Sequence, residues 1–103
     1  MAEPLLESFS KQPAETYPIG VEFSGQLPAG TAIVSGTVAG KNMTTGLADN
    51  TILANTTATI AGTQAKVKVL GGVDGSQYKI TFLVTLDDGS ILEEDLLMNV
   101  KDR

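Results

Sequence analysis

The stretch YKITFLVTL places Tyr78, Ile80, Phe82, Val84 and Leu86 at every second position. Successive side chains of a strand point to opposite faces, so these five share one face. The turn Asp87-Asp88-Gly89-Ser90 follows, and Asp-Gly between apolar runs is a strong hairpin signal. A returning strand from Ile91 to about Val100 carries Leu92, Leu96, Met98 and Val100 on its inner face. Glu94 interrupts that series and predicts a bulge or a frayed start. A two-stranded hairpin with one apolar face is not stable alone and needs a second layer to cover it. This requirement constrains the fold more than any other feature.

Period two also governs the chain before the hairpin. Ile19, Val21 and Phe23 alternate with Gly20, Glu22 and Ser24. The segment GQLPAG is a turn, and TAIVSGTVA is a second strand whose register is open, because Ile33 or Val34 could lead the inward face. Residues 40–50 read as loop, with at most a short strand around Met43 to Leu47. TILA, TTATI and QAKVKVL follow, the last with Ala65, Val67 and Val69 inward and Lys66 and Lys68 outward. About seven short strands, with turn signals roughly every 8–12 residues, are the pattern of a β-sandwich. The expected fold is an all-β, immunoglobulin-like β-sandwich of about seven antiparallel strands. Residues 17–103 form the domain and residues 1–16 an N-terminal arm. Helical spacing appears only in the arm, where Leu5, Leu6 and Phe9 follow Pro4. These three are candidates for contact with another protein, against the alternative of packing on their own sandwich.

Composition excludes several chemistries. Cysteine and histidine are absent, which removes thiolate and imidazole nucleophiles and metal ligands. Seven Lys and Arg against 12 Asp and Glu give a net charge of −5. With no basic stripe, nucleic acid is not an expected partner. No run approaches the ~20 apolar residues of a membrane span, and the first residues lack the basic region of a signal peptide. Neither a membrane partner nor export is expected.

Glu93, Glu94 and Asp95 are the strongest candidates for chemistry. Glu93 and Asp95 share a strand face about 6.6 Å apart, near the ~6.5–9.5 Å separation of inverting glycosidases. Their face offers Asn99 and no aromatic platform, so a solvated strand that discourages edge pairing is the better reading. Asp74, Asp87 and Asp88 are oxygen donors, but no D-x-D-x-D-G calcium loop exists. GGVDG lacks the Gly-Lys-Ser/Thr ending of a phosphate loop, and no G-x-S-x-G elbow occurs. No catalytic residue, cofactor or metal is expected.

The segment DGSQYKI is more specific. Asp74 precedes Tyr78 by four residues, and Ile80 follows it by two. The spacing resembles the tyrosine corner of immunoglobulin-like domains, in which the hydroxyl bonds to backbone upstream. The resemblance implies a structural role for Asp74 and Tyr78, with Ile80 in the place of the buried cysteine.

Beyond the arm, the chain resembles small phage virion proteins described as fibre–tail or head–tail adaptors. Lys11, Pro13 and Glu15 match their entry motif. Glu22, Phe23, Ser24 and Leu27 match a strand start, and Thr31, Ile33 and Ser35 the strand after it. Gly71, Gly72, Gly75, Tyr78, Ile80 and Thr81 match the glycine-rich approach to a later strand, and Glu93, Leu96, Met98 and Val100 the last one. Members often carry Trp where this chain has Phe23 and Val38. The resemblance implies a non-enzymatic assembly protein of a phage or prophage particle. Its partners would be other virion proteins or further copies of itself, and it would be found in the virion or the host cytoplasm. The alternative is an accessory or carbohydrate-binding module of a bacterial surface protein.

Overall fold

The alternating stretches become strands. The structure, a computed structural model, describes residues 7–102. In chain order the strands are β1 (Glu7–Lys11), β2 (Tyr17–Glu22), β3 (Ile33–Asn42), β4 (Leu47–Ala48), β5 (Thr59–Ala61), β6 (Gln64–Val69), β7 (Gln77–Leu86) and β8 (Ile91–Val100). They form two sheets, one of five strands in the order β1-β8-β7-β3-β4 and one of three in the order β2-β6-β5. The expected all-β sandwich is the observed architecture. Among the described residues the strands number eight, and the β1–β8 pair runs parallel, with Glu7 opposite Leu96 and Lys11 opposite Val100.

The β7–β8 hairpin is the centre of the large sheet. Its register runs unbroken from Gln77↔Asn99 to Thr85↔Ile91. The bulge expected at Glu94 is absent. Glu94 lies at the half-buried rim of the inward face, where its carboxylate accepts a hydrogen bond from Gln26 Nε2 (3.3 Å). A charged group that ends at the rim needs no break in the ladder. The bulge occurs instead in β3, between Ile33 and Ser35. It resolves the open register: Ile33 is buried, Val34 and Ser35 both face outward, and Val38 is buried again.

The arm differs from its helical spacing. Glu7–Lys11 is an edge strand, and Phe9 packs against the core from it. One isolated helical turn gains little, whereas a strand beside β8 gains a ladder of backbone bonds. Leu5 and Leu6 lie outside the described residues.

The inward faces meet in a single apolar core. Phe23, Ile52, Ala65, Val69, Ile80, Phe82, Val84 and Met98 are completely buried. The threonine-rich segment 49–58 contributes Ile52, Leu53 and Ala58 to it. This segment also bonds to both sheets. On one side Val38 N–H donates to Thr56 C=O and Ala58 N–H to Gly36 C=O, each at 2.9 Å. On the other, Ala54 N–H donates to Lys68 C=O and Leu70 N–H to Ile52 C=O, also at 2.9 Å. The β3–β5 side of the sandwich is thus closed by backbone. The opposite side, between β1 and β2, is closed by side chains, with the Phe9 and Tyr17 rings 6.3 Å apart and tilted by 59°.

Gly40 marks where segment 49–58 comes closest to β3. Asp49 N–H donates to Gly40 C=O (2.9 Å) and Gly40 N–H to Asn50 Oδ1 (2.8 Å). A Cβ on Gly40 would clash with Asp49 C=O. Gly40→Ala is expected to cost about 1–3 kcal/mol by overpacking. Thermal melting will read this as a fall of several degrees, and an unchanged melting temperature would contradict the close approach.

Candidate functional site

The most unusual side chain is Lys11, the last residue of β1. It is completely buried. Burying an ammonium costs several kcal/mol unless its protons find acceptors. Here Nζ donates to three backbone carbonyls, Gly71 (2.6 Å), Gln12 (2.8 Å) and Pro13 (3.2 Å). Burial pushes the ammonium below the ordinary lysine range, and the Glu15 carboxylate draws it back up. Glu15 also folds the turn itself: its Oε1 accepts from Gln12 N–H (2.8 Å), while its own N–H donates to Gln12 C=O (3.1 Å). Lys11, Pro13 and Glu15 therefore form one local device. Through Gly71 it ties the β1–β2 connection to the β6–β7 connection, the two places at this end where the chain changes sheets.

Tyr78 lies in the same corner. Its side chain is buried, and its hydroxyl accepts from Val73 N–H (3.0 Å). Gly72 has a positive φ of 98°, and a Cβ there would lie 2.7 Å from Val100 Cγ2. Asp74 does not bond to Tyr78. It is exposed, and its Oδ1 accepts from Asp102 N–H (2.9 Å), which holds the end of the chain against the loop. Phe9, the remaining described contact candidate, faces inward beside Tyr17, whose hydroxyl donates to Ser10 C=O (3.2 Å).

The acidic trio does not converge. Glu93 and Asp95 face outward and Glu94 inward. Asp95 accepts from the Thr81 hydroxyl (2.7 Å). Other carboxylates are committed to turns. Glu22 accepts from the Thr63 hydroxyl and from Ser24 N–H, and these bonds, Thr63 foremost, hold it below the usual carboxylate range. Ser90 N–H does the same for Asp88 in the hairpin turn. These acids serve backbone geometry.

A family model described as podophage GP4 fiber-tail adaptor protein gp77 matches residues 11–99. The chain belongs to this family. The gp77 family indicates a phage tail adaptor, which is a structural role. The match begins at Lys11 and covers β2 to nearly all of β8, so both the Lys11 device and the Tyr78 corner lie inside it. Most of β1 precedes it. A comparison with curated proteins found no match.

Sequence reasoning placed Tyr78 and Asp74 in one corner and missed Lys11 as its centre, because a lone lysine reads as surface. The signal that could have found it is the Lys-x-Pro-x-Glu spacing, in which Pro13 and Glu15 fold the chain back over the lysine.

Two variants test this corner. Tyr78→Phe removes the acceptor of Val73 N–H and is expected to cost about 1–2 kcal/mol in urea unfolding. Lys11→Met leaves three carbonyls without their donor, at an expected cost of about 1–3 kcal/mol at neutral pH. The lowered Lys11 pKa fixes a second readout. The unfolded chain keeps the proton to about pH 10.4, whereas the folded chain releases it earlier. In that window the unfolded state binds more protons, so stability rises with pH. Urea midpoints taken as pH is raised toward about 10.4 should therefore rise for the wild type relative to Lys11→Met. Parallel curves would refute the burial argument.

Proposed function

We propose that this protein is a phage or prophage virion adaptor that acts through protein–protein contacts and carries out no reaction of its own. The family supports the structural role. The observation that carries the contact reading is the β1 edge. Lys11 C=O accepts from Lys101 N–H (2.9 Å), so alternate residues of β1 turn toward β8. Ser8 and Ser10 turn their backbone groups the other way. Among the described residues, Ser10 C=O meets only the Tyr17 hydroxyl there. Natural sheets guard such edges with proline, bulges or outward charge. β2 carries Pro18, and β3 is covered by segment 49–58, but Ser8, Phe9 and Ser10 supply none of these. An extended strand of another virion protein could add to β1 by backbone pairing. Leu5 and Leu6, which precede β1 in the sequence, are the apolar residues proposed for such a partner, whereas Phe9 packs inward on its own core.

Mass spectrometry of purified particles from an induced host tests the setting. The chain is expected in virions at several copies. Its repeated absence from particles, with the protein present in the lysate, would overturn the virion reading.

A further inference from the structure

Acids outnumber bases in this chain, yet among the described residues Lys41, Lys66, Lys68 and Lys79 have no carboxylate within ion-pair distance. Glu15, Glu22, Asp49, Asp74, Asp88 and Asp95 accept from backbone N–H groups or hydroxyls instead. The lysines are left for something else. Lys66 and Lys68 are the more telling pair. Both are exposed on the outer face of the three-stranded sheet, two residues apart on β6. They border a hollow of about 360 Å³ whose other walls include Pro18, Ala54, Thr57 and Thr59. A hollow lined by proline, alanine and threonine beside two exposed lysines suits a ligand that is both acidic and apolar.

The same molecule carries a knob of that chemistry. The β7–β8 turn exposes Asp87 and Asp88. No side-chain partner engages the Asp87 carboxylate among the described residues, while Asp88 is fixed by Ser90 N–H (2.9 Å). At this end of the five-stranded sheet the large apolar side chains of Val34 and Ile91 are 59% and 64% exposed. The bulge in β3 is what turns Val34 outward. Knob and hollow are on different sheets, so one copy cannot bring its own knob to its own hollow.

We infer that the Lys66–Lys68 hollow of one copy seats the Asp87–Asp88 hairpin tip of a second copy. The contact is heterologous, each copy offering a knob to one neighbour and a hollow to another. Such contacts build rings when the rotation closes and open chains when it does not. A second copy is favoured over a polyphosphate because its tip joins two exposed acids to the exposed apolar side chains of Val34 and Ile91, which a polyphosphate lacks. This inference stands on the charge arrangement and does not depend on the virion reading.

Sedimentation velocity of the purified full chain over a concentration series tests it. Self-association is expected, and it should weaken by on the order of tenfold or more between about 0.05 M and about 0.5 M salt. The double variants Lys66→Glu/Lys68→Glu and Asp87→Lys/Asp88→Lys should each lose self-association. An equimolar mixture of the two should regain it, because the reversed tip of one then fits the reversed hollow of the other. Asp87→Lys alone keeps the Asp88 turn bond and serves if the double tip variant melts early. A chain that stays monomeric throughout would overturn the inference. So would association indifferent to these reversals, or a mixture that does not associate.

Discussion

The five-stranded sheet presents one continuous apolar face, and a three-stranded sheet is too narrow to cover it. Much of the remaining structure answers that mismatch. Segment 49–58 fills the missing width on one side by placing Ile52 and Leu53 between the layers while its backbone bonds to both. It does so without becoming a regular strand, because it changes partner from β6 to β3 within a few residues. Phe23 closes the core just after β2, and its N–H donates to Thr63 C=O (2.9 Å). On the β1–β2 side no such segment occurs among the described residues, and two aromatic rings pack between the layers. The sandwich is therefore asymmetric, sealed by hydrogen bonds along one flank and by packing along the other.

The corner around Lys11 shows the same economy with polar groups. Connections between sheets leave carbonyls that no ladder satisfies, and a buried carbonyl without a donor is costly. One ammonium with three protons meets three of them at once. The carboxylates have the converse role, accepting from turn N–H groups at Gln12, Ser24, Thr51 and Ser90. An acidic composition here reflects a fold rich in turns whose donors need acceptors.

Much of this was legible in the sequence where a single face decides the register. The run at 64–69 has apolar residues on one parity only. In 77–100 the even parity is apolar at almost every position, while Leu83, Ile91 and Leu97 are the apolar exceptions on the other. Both inward sets came out as expected. The start of β3 was illegible because Ile33 and Val34 are β-branched on both parities, and only pairing with β7 places the bulge. β1 was illegible for a different reason. Leu5, Leu6 and Phe9 satisfy helical spacing locally, and the strand forms because β8 offers an edge from more than eighty residues away. Of the corner, Tyr78 was visible from its spacing to Asp74. Its actual partner, Val73 N–H, depends on the path of the glycine loop. Lys11 looked like any solvated lysine until the turn that encloses it was known.

The parallel pairing of β1 with β8 has a mechanical consequence. The chain enters the sheet at Glu7 and leaves it at Val100, and the shared direction of the two strands puts these points at opposite ends of their common ladder. A pull applied through the two termini would drag β1 and β8 past each other lengthwise. The ladder bonds would then be loaded together in shear, whereas an antiparallel terminal pair would unzip sequentially from its end. A module placed between a moving appendage and a fixed body would bear tension best in this arrangement.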